Sequence, residues 1–182
     1  IAGKTVVVVG TGTLGSSMAK LVAPLGANII GVNKKGRMAE GCSKVVTIDK
    51  IDSVLPDADF LYLALPETPE TKNLINRKRL DMLKPTCGIV NIGRQSAMDY
   101  DALCEKLIKN EIAGAILDVF THEPIEKNSK LWDIPNLVIT PHVSSDDNGN
   151  YVKLTLDIFV ENLKLFIKNK ELNNQIDKKL GY

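Results

Sequence analysis

The segment Lys4 to Gly15, KTVVVVGTGTLG, constrains the fold of this chain more than any other. Its four consecutive valines are typical of a buried strand in a parallel sheet, and Gly10, Gly12 and Gly15 follow directly. A helix is predicted next, because apolar side chains recur at helical spacing from Thr13 to Leu25 before a glycine ends the pattern. A second strand is predicted at ANIIGVN. The chain therefore opens with the order strand, glycine turn, helix, strand.

The glycine spacing favours a dinucleotide-binding turn. In such a turn the first glycine allows a tight bend, the second lets the backbone approach a pyrophosphate, and the third lets the helix pack closely on the strand. The N–H groups and the positive dipole end of the helix then face the phosphates. The predicted strand before the turn and helix after it supply the context that an isolated glycine pattern lacks. The alternative is a turn whose glycines serve packing alone.

The same alternation of strand and helix continues along the chain. Strands are predicted at ADFLYLALP, CGIVNIG, IAGAILDVF and NLVITPH, and helices at NRKRLDMLK, at DYDALCEKLIKN with Asp99 as N-cap, and from Tyr151 to Lys168. This order predicts an α/β fold with a doubly wound parallel sheet, the Rossmann fold. We expect residues 1–150 to form the dinucleotide-binding domain and residues 151–182 to form a C-terminal helix and tail.

Composition narrows the class of partner. The net charge of +1 favours neither nucleic acid nor an anionic membrane, and no stretch approaches the roughly 20 apolar residues of a membrane span. Three widely spaced cysteines, Cys42, Cys87 and Cys104, fit neither a disulfide framework nor a zinc site. We therefore expect a cytoplasmic protein that holds no metal and acts on a small molecule.

The end of the second predicted strand bears on which dinucleotide is bound. The sequence there is GVNKKGR, with Asn33 where NAD-binding turns usually carry a ribose-binding acid, and with Lys34, Lys35 and Arg37 close behind. A carboxylate would repel a ribose phosphate, whereas an amide and nearby cations attract one. The pattern favours NADP over NAD, and the alternative is a solvated basic loop.

Candidate catalytic groups follow later strands. His142 comes directly after the strand NLVIT, at the edge where doubly wound sheets bind ligands, while the other histidine, His122, lies in a loop beside Glu123. Arg94 closes GIVNIGR and could hold a carboxylate in a bidentate fork. Arginine, glutamate and histidine beside a nicotinamide suit interconversion of a 2-keto acid and a 2-hydroxy acid. Taken singly, each has a structural alternative: a hydrogen-bonded histidine, a surface ion pair and a loop charge.

Taken together, these motifs resemble the NAD(P)-binding domain of the D-isomer-specific 2-hydroxyacid dehydrogenases. The resemblance runs almost end to end, through AGKTVVVVGTGTLG, LALPETPETKNLIN, LKPTCGIVNIGRQSAMDYDAL, IAGAILDVFTHEP, LWDIPNLVITPH and ENLKLFIKNKELNN. It implies reduction of a short 2-keto acid such as glyoxylate or hydroxypyruvate. GVNKKGR most resembles the reductases of this family that lack the acidic ribose-binding residue.

The resemblance also implies roles for individual residues. Arg94 would bind substrate, Glu123 would orient His142, and His142 would pass the proton, while Asp118 would contact the nicotinamide carboxamide. Thr13 and Leu14 would cover the pyrophosphate. The remaining cofactor cleft would be lined by Leu65, Pro66, Thr71, Ile92 and Gly93. Formate dehydrogenases have glutamine where Glu123 stands, so formate activity is not expected.

The resemblance has limits. Gln95 and Ser96 stand where the family usually has glycine, which alters the loop after the arginine. Family members carry a separate N-terminal substrate domain before this region. We expect these 182 residues not to include that domain, and therefore to bind a dinucleotide but to turn over substrate poorly. A homodimer is possible. The alternatives are a phosphoglycerate- or erythronate-type dehydrogenase and a dinucleotide-sensing regulatory protein on the same fold.

Overall fold

The computed structural model describes residues 1–147 and 149–178. Within them, seven strands form a single sheet. The strands are β1 (Thr5–Val9), β2 (Asn28–Asn33), β3 (Lys44–Thr47), β4 (Phe60–Leu63), β5 (Gly88–Asn91), β6 (Gly114–Leu117) and β7 (Leu137–Ile139). The α-helices are α1 (Thr13–Val22), α2 (Arg77–Leu80), α3 (Tyr100–Ile108) and α4 (Tyr151–Ile167).

All neighbouring strands pair in parallel, in the order β3-β2-β1-β4-β5-β6-β7. The chain therefore builds the sheet outward from β1 in one direction and then, from β4 onward, in the other. Val8 of β1 lies in register with Gly31 of β2 and Tyr62 of β4. This topology confirms the doubly wound parallel sheet predicted from the sequence, with its change of direction between β1 and β4.

The valines of β1 fill both sides of the sheet, because successive side chains of a strand point to opposite faces. Val7 and Val9 join the larger core cluster, which also contains Leu103 and Leu107 of α3. Val8 packs on the opposite face in a smaller cluster with Ala19 of α1. Burying a valine side chain fully contributes about 1.5–3 kcal/mol, so this strand anchors the turn that follows it.

The face that carries α1 becomes more open toward β7. Tyr62, Val90, Ile116 and Val138 lie in register across that face. Tyr62 is partly buried, whereas Ile116 is 42% and Val138 54% exposed. Burial on both faces, which an apolar parallel strand predicts, therefore holds for β1 and fails for β6 and β7.

Several element boundaries differ from the prediction for local reasons. The first helix is α-helical only to Val22 and continues as a 3-10 turn over Ala23–Leu25, which ends at Gly26 with φ +86°. Helix α2 is shorter than expected, because after Leu80 the backbone tightens into i to i+3 hydrogen bonds. The short strand β3 was not predicted. The Asp99 cap is confirmed, since its carboxylate accepts the Ala102 N–H at 2.9 Å.

The chain divides into two compact units, the first being Ile1–His142 and the second beginning at Val143. The second unit contains α4, onto which the following segment folds back through hydrogen bonds between Asn162 and Asn173. Many apolar side chains of α4 are exposed, including Val152, Phe159 and Phe166. Among the described residues, we find no helix with the length and apolarity needed to cross a membrane.

Two glycines of the turn provide a matched test of the packing between β1 and α1. A Cβ added to Gly15 would overlap the carbonyl oxygen of Gly10, whereas one added to Gly12 would meet nothing within 4 Å. We expect Gly15→Ala to lower the free energy of unfolding by about 3 kcal/mol, the upper end of overpacking costs. Gly12→Ala should lower it by less than about 1 kcal/mol. Urea denaturation of both variants measures this, and equal stabilities would contradict the close approach.

Candidate functional site

The site is built along the carboxyl edge of the parallel sheet. Because all strands run the same way, the segments that follow β1, β4, β5, β6 and β7 lie along one edge. Open α/β sheets bind ligands at this edge, in the crevice where the strand order reverses. In this chain the reversal lies between β1 and β4, directly beside the glycine turn.

Each of the three glycines in the turn has a different structural environment. Gly10 has φ +95°, a left-handed conformation that favours glycine, and a Cβ there would also press on the carbonyl of Ala64 after β4. Gly15 is buried where α1 crosses close above the turn. Gly12 caps α1 without a side chain and faces open space.

This arrangement fits a dinucleotide pyrophosphate. The first N–H groups of a helix have no partners within that helix, and at α1 the N-cap residue has no side chain to satisfy them. Thr13 is exposed at this end, and so is Leu14, at 43%, although Leu14 is an apolar residue in the first turn of a helix. The turn therefore presents the N–H groups of the first helical turn beside an exposed apolar side chain, and such N–H groups suit a phosphate.

Asn33 organises the loop after β2. Its side-chain N–H2 donates to the Thr11 hydroxyl at 2.8 Å and to the Arg37 carbonyl at 2.9 Å. Its side-chain oxygen accepts the N–H groups of Lys35 and Arg37 at 3.1 and 3.2 Å. The amide thus joins the β2 loop (residues 33–37) to the glycine turn and leaves Lys34, Lys35 and Arg37 exposed along the loop.

The β4 loop (residues 64–71) forms the opposite wall of the crevice. Leu65 and Thr71 are buried, and Pro66 is exposed. The Thr71 hydroxyl donates to the Pro66 carbonyl at 2.7 Å and accepts the Thr68 N–H at 2.9 Å. Through these two hydrogen bonds, Thr71 stabilises the conformation of the β4 loop beside the crevice.

The turn after β5 packs tightly against the same loop. A Cβ on Gly93 would lie 2.6 Å from both the backbone nitrogen and the oxygen of Leu65. Ile92 is half-buried beside it. Arg94 follows Gly93 in the chain and is exposed. Its guanidinium donates to the Gly93 carbonyl at 2.7 Å.

Two residues that the sequence analysis missed hold the Arg94 turn. Asn91, fully buried at the end of β5, donates to the Arg94 carbonyl at 3.1 Å and accepts the Gly93 N–H at 3.0 Å. It also donates to the hydroxyl of Tyr100, which in turn donates to the Val119 carbonyl. A polar residue at the end of an otherwise apolar strand was the available signal.

Asp118 follows β6 and is 1% exposed. Its carboxylate accepts a hydrogen bond from the Thr140 hydroxyl, just beyond β7. Burial of an acidic side chain is unusual unless it is paired, and this bond joins the ends of the last two strands. The carboxylate is thereby held close to the position of His142.

Glu123 and His142 form a direct pair at the end of the sheet. The Glu123 Oε2 lies 2.8 Å from Nδ1 of His142, and Oε1 accepts the Phe120 N–H at 2.8 Å. The hydrogen bond from His142, followed by that from Phe120, lowers the pKa of Glu123. The carboxylate is therefore held ionised and fixed from both sides, and the Nε2 edge of the imidazole points away from it.

The backbone of His142 is in the left-handed region, with φ +57°. For a residue other than glycine this conformation costs of order 1 kcal/mol. Strained backbone of this kind clusters at functional sites.

His122 is not part of the Glu123–His142 pair. It borders a cavity of about 650 Å³ between α3 and the loop after β6, whose walls include Tyr100, Cys104 and Phe120. Neither Glu123 nor His142 lines this cavity. In the described part of the chain, no three His, Cys, Asp or Glu side chains are grouped to hold a metal ion.

Residues 1–144 match the model of the D-isomer specific 2-hydroxyacid dehydrogenase, NAD binding domain, family. Among curated relatives, a glyoxylate/hydroxypyruvate reductase B of Pectobacterium carotovorum is 47% identical over 95 residues, 52% of this chain and 30% of that protein. A D-3-phosphoglycerate dehydrogenase of Synechocystis is 34% identical over 159 residues, 85% of this chain and 28% of that protein.

Solved structures agree with the sequence comparison. The NADPH-dependent glyoxylate/hydroxypyruvate reductase of Sinorhizobium meliloti, in complex with NADP and sulfate, superposes with a TM-score of 0.90 at 30% identity. The superposition covers 98% of this chain and 57% of that one. The chain thus spans less than two thirds of the length of these relatives. It belongs to the D-isomer specific 2-hydroxyacid dehydrogenases, as their NAD-binding domain.

Proposed function

We propose that this domain binds NADP and supplies the acid/base chemistry of a reductase that converts a short 2-keto acid to a D-2-hydroxy acid. The observation that carries this proposal is the Glu123–His142 pair, at 2.8 Å, beside the edge that holds the glycine turn. An acid/base group and a dinucleotide cradle on one sheet edge are what carbonyl reduction requires.

A bound nicotinamide supplies the hydride, and the residues of the chain handle the proton and the carboxylate. His142 donates the proton to the keto oxygen through Nε2, because Nδ1 is held by Glu123. The Glu123 carboxylate fixes the direction of the imidazole through this contact. In the reverse direction the neutral ring accepts the proton from the hydroxyl.

Arg94 is the proposed anchor for the substrate carboxylate. It follows β5, and His142 follows β7, so two strand spacings of about 4.8 Å separate their strands by roughly 10 Å. The exposed guanidinium can pair with a carboxylate in a fork that a lysine cannot reproduce. We assign Asp118 to the nicotinamide carboxamide, since it is held between the two strands that end beside His142.

We also propose that a substrate domain elsewhere in the polypeptide completes the cleft, and that the C-terminal region from residue 151 packs toward that domain. The exposed apolar side chains of α4, such as Val152 and Phe166, support this role, because large apolar patches mark interaction sites. Substrate choice then depends on that domain. Relatives named glyoxylate/hydroxypyruvate reductase B and glyoxylate reductase support glyoxylate and hydroxypyruvate as substrates.

A phosphoglycerate-type substrate is the second candidate, supported by the Synechocystis relative. The two candidates use the same proton chemistry and differ in the second half of the cleft. A dinucleotide-sensing protein could retain the same residues, and measurable turnover separates it from an enzyme.

We expect NADPH to bind this chain about tenfold more tightly than NADH. A charge-assisted hydrogen bond to a 2′-phosphate contributes about 1.5–3 kcal/mol, and tenfold corresponds to about 1.4 kcal/mol. Lys34, Lys35 and Arg37 are the cations of the β2 loop that would meet the phosphate. Fluorescence titration with both reduced cofactors measures the preference, which should diminish with added salt. Equal or tighter binding of NADH would refute it.

His142→Asn tests the acid/base role, because asparagine tolerates the left-handed backbone but cannot transfer the proton. In the polypeptide that carries both domains, we expect the rate of keto-acid reduction to fall by about 10²–10⁴. The dissociation constant of NADPH should stay within about twofold, a change of less than 0.5 kcal/mol. His122→Asn, at the histidine outside the pair, is the matched control and should retain wild-type turnover. A wild-type rate in the His142 variant would show that the proton comes from another group.

A further inference from the structure

An ion pair spans the two loops that border the crevice. Lys34 of the β2 loop lies with its Nζ 2.8 Å from both carboxylate oxygens of Glu70 in the β4 loop. Because β2 and β4 are the two neighbours of β1 in the sheet, this contact passes over the end of β1, where the glycine turn begins. The two residues are 36 positions apart in sequence.

Hydrogen bonds brace the backbones of both loops, whereas the two paired side chains are exposed. Asn33 ties the β2 loop to Thr11 and Arg37, and Thr71 ties the β4 loop to Pro66. The side chains of Lys34 and Glu70 are 44% and 57% exposed. Exposed ion pairs contribute little to stability, and the fold therefore does not depend on this contact.

Lys34 is the first of the three cations after β2 that are expected to meet a ribose phosphate. In this structure it pairs with Glu70. A 2′-phosphate in this region must compete with the Glu70 carboxylate for Lys34, and the carboxylate also repels the phosphate directly. NADH has no 2′-phosphate and meets neither effect.

We propose that Glu70 limits the preference of this domain for NADPH by competing with the 2′-phosphate for Lys34. The inference rests on the proposed binding of NADP at this edge. It makes Glu70 a selectivity residue that weakens NADPH binding, so that its removal increases the preference for NADPH.

The test measures NADPH and NADH dissociation constants for the wild type and for Glu70→Gln, at low ionic strength. We expect the variant to bind NADPH about threefold to fivefold more tightly, with the NADH constant changed by less than about twofold. The gain should be clearly smaller when Lys34→Gln is the starting background, because no lysine is then released and only the direct repulsion between Glu70 and the phosphate is relieved. Added salt should reduce the gain, since the interactions are exposed to solvent.

Glu40→Gln is the matched control. Glu40 is also exposed, lies between β2 and β3, and pairs with Lys20 at 3.1 Å, so the variant makes the same change in net charge. We expect it to leave both constants within about 1.5-fold, because its lysine is on α1. An equal gain in Glu40→Gln would overturn the proposal, as would a gain of undiminished size in the Lys34→Gln background.

Unchanged or weaker NADPH binding in Glu70→Gln, with a wild type that prefers NADPH, would overturn the role of Glu70 alone. Failure of the wild-type chain to bind either dinucleotide would overturn this inference and the proposed function together. Circular dichroism of each variant verifies that the fold is retained.

Discussion

Parallel pairing of the strands is the constraint on which the rest of this molecule depends. It directs the carboxyl ends of all seven strands to one edge, so every residue that directly follows a strand becomes a neighbour of the others. The reversal of strand order between β1 and β4 opens a crevice at that edge. The tight contact of Gly15 with the Gly10 carbonyl then brings the start of α1 to the crevice.

The sequence predicted the parts of the site that depend on position along a strand. Gly10, Arg94, Asp118 and His142 all follow apolar strands, and parallel topology alone is enough to place them on one edge. The doubly wound fold could be predicted for the same reason, from its alternation of strands and helices. The short strand β3 could not, because only one of its four residues is buried and its pattern is too brief to distinguish from a loop.

Contacts between loops could not be predicted from the sequence. Asn33 stands where a ribose-binding acid is common, and its amide also organises its own loop through three hydrogen bonds and joins it to Thr11 through a fourth. Nothing in the spacing indicates that Lys34 meets Glu70, since that contact depends on which strands become neighbours. Asn91 and Tyr100 were missed because their hydrogen bonds form only after β5, α3 and the end of β6 have packed together.

The same kind of contact occurs at both ends of this edge. A carboxylate from a neighbouring loop holds a side chain that can carry positive charge: Glu70 holds Lys34, and Glu123 holds His142. The lysine pair is exposed, in keeping with the competition proposed for a 2′-phosphate. In the histidine pair, Glu123 also accepts the Phe120 N–H, and Thr140, two residues before His142, donates to Asp118, which suits the proposed proton transfer.

The central claim is that one edge of the sheet binds the dinucleotide from the glycine turn to the end of β7. Amide chemical shifts of the isotope-labelled chain, recorded during titration with NADPH, test it most directly. The account predicts the largest changes at Gly12, Thr13 and Leu14, with further changes at Gly93 and His142. Changes confined to the opposite edge of the sheet, or to the cavity beside His122, would contradict it.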